Sequence, residues 1–211
     1  MRKNDVTDMT RYETRLQAQG FHLLAGVDEV GRGPLAGPVA AAAVILPVGF
    51  SAPDIKDSKK LAPGKRRRLA AEIKRQALDW SVAMVSPAVI DEINILEATK
   101  KAMRLALAAL VPAPDYVLTD AVHLEMEVPH MALIKGDNQS ISIASASIIA
   151  KVLRDDYMTA LDQLYPGYGL AKHKGYGTAE HLHCLRAHGP SPVHRCSFRP
   201  VSACCGKHSL L

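Results

Sequence analysis

Hydrophobic and polar positions along this chain alternate, run together or recur at helical spacing, and their succession predicts an α/β protein. Arg11 to Gly20 predicts a short helix with Gly20 just past its end, after a polar segment, Met1 to Thr10, that is expected to fray. Phe21 to Glu29 predicts a first strand. Ala40 to Leu46, apolar without a break, predicts a second strand buried on both faces. A helix is expected from Pro63, well placed at the first helical position, with Leu69, Ile73 and Ala77 as its buried stripe. Ala62 precedes it, so the helix lacks a capping side chain, at a cost of about 0.5–2 kcal/mol. Trp80 to Val85 alternates as a strand, with Trp80, Val82 and Met84 on one face. Ser86-Pro87 opens a helical turn. Asn94-x-x-Glu97 then has the form of a capping box introducing a long helix to Leu110, ended by Pro112 and Pro114. Tyr116 to Thr119 and Met131 to Lys135 predict two more strands. Ile141 to about Leu164 predicts a helix whose first turns carry Ala144, Ser145, Ala146 and Ser147, small enough to approach a sheet closely. Pro166 to Gly177 reads as a glycine-rich loop, and Thr178 as the cap of a last helix to about Arg186. Beyond Gly189-Pro190 the chain shows no clear pattern. This order suggests a five-stranded mixed sheet flanked by helices, with a small C-terminal helical part.

The chemistry concentrates at strand ends. Asp28 and Glu29 sit side by side in the apolar run from Ala25 to Val39, where folding alone would not select an unpaired charge. A regular strand sends them to opposite faces, so both reach one site only through a twist or bulge, which Gly31 and Gly33 make cheap. The plain alternative, a solvated pair at a strand end, fits less well because Val27 and Val30 flank the pair. Asp120 closes the fourth strand, and Asp137 follows the fifth across Gly136. A lone Asp after a strand is more often a turn former, but sites in α/β folds gather beyond the carboxyl ends of parallel strands. Gly31 to Gly37 lacks the spacing and the following helix of a dinucleotide loop. Acids, pliable backbone and Arg32 this close together suggest a cation site beside a phosphate site. Lys59 and Lys60 are better placed near phosphate than the run Lys65 to Arg68, which reads as a solvated face. Basic and aromatic residues interleave around His173, Lys174 and Tyr176, as suits backbone contact plus stacking. His181, His183 and His188 are expected to face solvent. His181 and His183 do not share a helical face, so a metal pair there is not expected.

Composition adds limits. At 211 residues, 48% hydrophobic and 22% charged, the chain fits one core-bearing domain. We divide it into an N-terminal extension and short helix (1–20), a catalytic domain (21–165) and a C-terminal substrate loop, helix and tail (166–211) of the same functional unit. A net charge of +5 and a pI near 9.0 permit a nucleic-acid partner without requiring one. No signal peptide or bilayer-length apolar run stands out, so a soluble cytoplasmic protein is expected. Cys184, Cys196, Cys204 and Cys205 lack the paired spacing of a zinc site and are expected to be reduced thiols.

The run Asp28 to Val39 (DEVGRGPLAGPV) resembles the signature of the ribonuclease HII family, endonucleases acting on ribonucleotides in duplexes with DNA. Asp57-Ser58-Lys59-Lys60-Leu61, Asn94-Ile95-Leu96, Asp120, Lys135-Gly136-Asp137, Ala144 to Asp155 and His173-Lys174-Gly175-Tyr176 resemble that family in the same order. The resemblance covers roughly Tyr12 to Val201. It implies a ribonuclease H-like fold, with three antiparallel strands followed by two parallel ones. It implies that Asp28, Glu29, Asp120 and Asp137 hold Mn2+ or Mg2+, and that Gly31, Arg32, Gly33, Lys59 and Tyr176 contact substrate. The implied partners are an RNA/DNA hybrid and duplex DNA containing ribonucleotides, met by a monomer. Contact with a replication clamp is not readable from the sequence. The implied product ends are a 5′-phosphate and a 3′-hydroxyl. One rival is a nucleic-acid binder that has kept the fold and lost activity; the presence of all four acids counts against it, although a change elsewhere could silence the site. A resolvase or a type I or III ribonuclease H would lack the Gly-Arg-Gly turn and the late tyrosine. The chain departs from the family pattern at Ala121, where glycine is common, at Thr119, which replaces an apolar neighbour, and at Gly177, where proline is common.

Overall fold

A computed structural model describes residues 8–52, 54–55 and 61–205. The elements are α1 (Arg11–Ala18), β1 (Leu24–Val30), β2 (Val39–Ile45), α2 (Pro63–Gln76), β3 (Asp79–Val85), α3 (Pro87–Ala108), β4 (Tyr116–Asp120), β5 (His130–Leu133), α4 (Ile141–Leu164), α5 (Leu170–His173), α6 (Ala179–His188) and α7 (Arg199–Ser202). The five strands form one sheet in the order β3-β2-β1-β4-β5. β1 pairs parallel with β4, and β4 parallel with β5. β1 and β2 are neighbours joined only by residues 31–38, too short a link for a parallel crossover, so they run antiparallel and the sheet is mixed.

Local chemistry explains where the elements begin. β1 starts at Leu24 rather than Phe21 because the Asp115 carboxylate takes the N–H groups of His22 (2.7 Å) and Leu23 (3.0 Å) out of the ladder. β2 is buried along its whole length, as its unbroken apolar run requires. α2 begins at Pro63 behind Ala62, which makes no side-chain cap. Its buried residues are Leu69, Ala70 and Ile73. Ala77 is half-buried because the helix has already ended there. Within α3, Asn94 is non-helical (φ 67°, ψ 166°), and its Oδ1 accepts the N–H groups of Leu96 (2.9 Å) and Glu97 (3.1 Å). Asn94 therefore caps a second helical segment inside α3, and the Glu97 carboxylate accepts from Lys100 Nζ (3.0 Å).

The chain divides into two compact units. The first comprises Met1–Glu29, Ala41–Ala83 and Met103–Val152, and the second Val30–Ala40, Met84–Ala102 and Leu153–Leu211. In the first, Leu16, Leu24, Leu118, Leu133 and Ile143 share a core. A Cβ at Gly26 would lie 2.1 Å from the Ser142 carbonyl carbon, so the first turn of α4 crosses β1 at backbone distance. Only small residues permit this, and Ala144, Ser145 and Ala146 are all buried there. The start of α4 is tied down further. Glu13 Oε1 accepts from Ser142 N–H (3.0 Å) and from the Ser140 hydroxyl (2.5 Å), while Ser140 Oγ accepts from Ile143 N–H (3.2 Å).

In the second unit Leu35, Ala36, Met158, Leu161, Tyr168, Leu170, Leu185 and Val201 form the core. The expected loop from Pro166 to Gly177 contains the single helical turn α5. Thr178 caps α6 by accepting His181 N–H (3.2 Å). His183 and His188 face solvent, but His181 is fully buried, contrary to expectation, because its ring bonds in register with other buried groups. The four cysteines are free thiols. Among the described residues, no helix is long and apolar enough to cross a membrane.

Candidate active site

Sheet register brings the acids together. Val27 pairs with Thr119, so the next residues along the parallel strands are Asp28 and Asp120. Asp120 in turn pairs with Leu133, after which Lys135 adopts a left-handed conformation (φ 56°) and the chain turns through a 3-10 helix, Gly136–Asn138. The backbone N–H of Gly136 donates to Asp120 Oδ1 (2.7 Å), which fixes that turn against the end of β4. Asp137 on the turn is buried, and its Oδ1 accepts from Asn138 Nδ2 (3.0 Å). Asp28, Glu29, Asp120 and Asp137 thus all come to the carboxyl edge of β1, β4 and β5.

Asp28 is 5% exposed, and its Oδ1 accepts the Glu29 N–H (2.8 Å). Burial pushes its proton affinity well above the usual carboxylate range. The charges of Glu29 and Asp120 push it the same way, against the opposing bond from Ser147 on α4. β1 runs on to Val30, and Asp28 and Glu29 are close enough on it to repel each other. Both of these neighbouring charges are negative. An all-oxygen donor set under mutual repulsion matches a hard divalent cation better than a soft one. Among the described residues no three Asp, Glu, His or Cys side chains are drawn into a ready-made metal cage. Backbone register collects the acids at this edge.

The Gly-Arg-Gly turn belongs to the second unit. Gly31 is left-handed (φ 94°), and a Cβ there would strike Arg154 Nε at 2.1 Å. Arg32 and Gly33 are exposed. A Cβ at Gly33 would stand 3.6 Å from the ring of Tyr176, which is itself 44% exposed. Arg32, Gly33 and Tyr176 therefore form one surface patch, while Gly31 itself is buried. Lys59 lies outside the described residues.

Two arginines that sequence reasoning passed over hold this turn. Arg195, fully buried, donates through Nη2 to Gly31 O (2.6 Å) and Gly37 O (2.9 Å), through Nη1 to Arg32 O (2.8 Å) and through Nε to Gly37 O (3.0 Å). Arg154, equally buried, donates to Pro38 O (2.9 Å), Ala36 O (3.3 Å) and Lys174 O (3.1 Å). Burial, and then the nearby Arg154 charge, lower the Arg195 pKa to about 9. Asp91 accepts the N–H groups of Cys196 (2.8 Å) and Ser197 (2.9 Å) and steadies the segment carrying Arg195. Arg154 left a sequence signal. It occupies a buried-stripe position of α4 with Ala150, Met158 and Leu161, where a charge needs a purpose. Arg195 left none, because its segment has no period.

The chain matches the family model described as Ribonuclease HII over residues 25–201. It is 54% identical over 199 residues to "Ribonuclease HII" of Syntrophomonas wolfei, covering 94% of this chain and 78% of that protein. The ribonuclease H2 of Pyrococcus horikoshii is similar in structure, with a TM-score of 0.72 and 28% identity over 85% of this chain and 95% of that one. A ribonuclease HII from Archaeoglobus fulgidus, solved as a complex with PCNA, superposes with a TM-score of 0.68 and 29% identity over 82% of this chain and 93% of that one.

Proposed function

The chain belongs to the ribonuclease HII family of metal-dependent endoribonucleases, and from this premise we propose that it also cuts 5′ of single ribonucleotides embedded in duplex DNA, besides cleaving the RNA strand of RNA/DNA hybrids. The products carry a 5′-phosphate and a 3′-hydroxyl. Asp28, Glu29, Asp120 and Asp137 would hold divalent cations, Mn2+ or Mg2+. Two such cations, if held there, would supply an activated water and charge stabilisation for an in-line displacement. The observation that carries this reading is Asp28, buried at the sheet edge with the negative charges of Glu29 and Asp120 acting on it.

The chain's own groups do the rest. Gly136 N–H orients the Asp120 carboxylate through Oδ1. Ser147 and the Glu29 N–H hold Asp28 as an acceptor against the repulsion of its neighbours. Gly33 leaves backbone bare on the exposed part of the turn, so a sugar-phosphate can approach there without side-chain hindrance, while buried Gly31 supplies the left-handed bend. The 2′-hydroxyl both donates and accepts, and it is the group that separates ribose from deoxyribose there. Tyr176 lies against the following sugar, where a deoxyribose fits and a 2′-hydroxyl would crowd the ring. Lys59 contributes a phosphate contact. The protein works as a monomer in the cytoplasm.

The test is a duplex with one embedded ribonucleotide, incubated with and without Mn2+ and mapped at nucleotide resolution. A metal-dependent nick on the 5′ side of the ribonucleotide, with a 5′-phosphate on the downstream piece, is expected. Cutting of uniform hybrid alone, or cutting that ignores the metal, would defeat the reading.

A further inference from the structure

Three buried histidines lie behind Tyr176, and none belongs to the acid site. The rings of His173 and His181 stack with centroids 4.4 Å apart and planes 17° from parallel. His181 Nε2 and His194 Nε2 are 3.0 Å apart. His181 is 0% and His194 2% exposed.

The hydrogen bonds at the ends of this group set every proton. His194 Nδ1 accepts the Ser191 backbone N–H (3.0 Å), so it carries no hydrogen, and the Ser191 hydroxyl, 2.8 Å away, is the donor in that second contact. The neutral ring therefore bears its hydrogen on Nε2 and donates it to His181 Nε2. His181 then bears its hydrogen on Nδ1, which lies 2.9 Å from the carbonyl oxygen of Tyr176 and donates to it. His173 is ordered separately. Its Nδ1 accepts Gly175 N–H (3.2 Å), so Nε2–H donates to Tyr168 O (2.7 Å). Each ring is satisfied with one donor and one acceptor, and no alternative neutral arrangement satisfies both ends.

The chain ends on a residue with an exposed ring and a fixed backbone. The Tyr176 carbonyl accepts from Thr178 N–H (2.8 Å) as well as from His181, and its N–H donates to His173 O (3.0 Å). Gly175 beside it is left-handed (φ 84°), and a Cβ there would lie 2.4 Å from Ala36 O. The other polar and charged neighbours of the group are Tyr168, whose ring centroid is 4.8 Å from that of His194, and the exposed Lys172–Glu180 pair. An exposed aromatic ring that must discriminate between sugars needs its backbone held to a fraction of an ångström.

We propose that His181 and His194 are positioning residues for Tyr176, a directed hydrogen-bond chain from Ser191 through both rings to the Tyr176 carbonyl that sets where its ring meets the substrate. The proposal rests on the reading of Tyr176 as the group lying against the sugar. It adds two residues to the recognition of a ribonucleotide junction, neither of which touches substrate.

The test compares cleavage of a single-ribonucleotide duplex with cleavage of a uniform RNA/DNA hybrid, each variant's Tm being measured alongside. His181→Leu is expected to lower the ratio of the first rate to the second about tenfold, since it removes a buried donor and leaves the carbonyl half-satisfied. His181→Asn, whose side-chain N–H falls near the place of Nδ1–H, is expected to restore the ratio to within about threefold of wild type. Adding His181→Leu to Tyr176→Ala is expected to change the ratio no further than Tyr176→Ala alone. Nitrogen-15 NMR is expected to show hydrogen on Nδ1 of His181 and on Nε2 of His194.

An unchanged ratio in His181→Leu, with Tyr176→Ala shifting it, overturns the positioning role alone. An unchanged ratio in Tyr176→Ala overturns the sugar reading and the proposal with it. The opposite tautomers overturn the chain whatever the rates. Should His181→Leu not fold, His194→Leu against His194→Gln makes the same comparison one ring further back, with loss expected only in the first.

Discussion

Gly136 N–H donates a 2.7 Å hydrogen bond to Asp120 Oδ1, and this bond joins the end of β4 to the turn carrying Asp137. Gly136 has no room for a side chain. A Cβ there would lie 2.6 Å from Ile143 Cδ1 and 3.1 Å from Leu133 Cβ, both on fully or nearly fully buried residues. Gly136→Ala should destabilise the protein by about 1–3 kcal/mol through overpacking. It should also slow cleavage by about 10–100-fold at temperatures where the variant is fully folded, because the turn shifts against Asp120. Urea titration and single-turnover cleavage check the two parts. Full activity with unchanged stability would mean that the turn position has slack.

Asp120→Asn keeps an oxygen to accept the Gly136 N–H but removes a charge that acts on Asp28. Metal-free stability should therefore hold or rise, by up to about 1 kcal/mol. Cleavage should fall at least about 100-fold, since an amide is a poor ligand for a hard cation. The rise in Tm on adding Mn2+ should shrink as well, and this readout is independent of turnover. A wild-type cleavage rate across a metal titration would remove Asp120 from the ligand set.

The buried histidines give stability a defined pH dependence. Burial first, and then the neighbouring His181, lower His194 to about 4, and burial likewise lowers His181. In the unfolded chain both titrate near 6.5. Above that value both states are neutral and the hydrogen-bond chain contributes in full. As pH falls from about 6.5 toward 4, the unfolded chain takes up protons that the folded one refuses, so stability drops. The loss expected is on the order of 2 kcal/mol, and His194→Gln should flatten this part of the curve. Denaturant midpoints at half-unit pH intervals check it. Parallel curves for the two proteins would show that His194 is not held neutral.

The parts of the site that were legible in the sequence are those with a local signal. Asp28 and Glu29 interrupt an apolar strand, and Asp120 and Asp137 follow strands at matching places, so the parallel register of β1, β4 and β5 was enough to collect them. Asn94 announced its cap through spacing alone, and Gly31 its turn through composition. What stayed hidden depends on contacts far apart in the chain. Arg195 reaches Gly31 across most of the sequence, and its segment has no periodic face to betray its burial. His181 looked like a solvent-facing helical residue because the ring that satisfies it, His194, lies in that same unpatterned stretch. A polar side chain is read as exposed until its partner is known, and no partner at this distance is visible in one sequence.

Thr119 and Ala121 flank Asp120, and the two departures have opposite consequences. Thr119 is fully buried, and its hydroxyl donates to Val122 O (2.6 Å), so the polar replacement is satisfied within its own turn. Ala121 is exposed and left-handed (φ 52°), with its N–H donating to Leu133 O (2.9 Å). That conformation costs an alanine about 1–2 kcal/mol, because its Cβ crowds the following carbonyl. Glycine adopts it without strain but loses about 0.5–1 kcal/mol more chain entropy on folding. Ala121→Gly should therefore stabilise the protein by up to about 1 kcal/mol. No hydrogen bond is lost, because only the methyl group is removed, and cleavage should stay within about twofold of wild type. Chemical denaturation of the two proteins side by side checks the sign. A variant less stable than the parent would mean that the Ala121 methyl makes a contact worth more than the strain it brings, and that the turn after Asp120 is held by packing rather than by backbone preference.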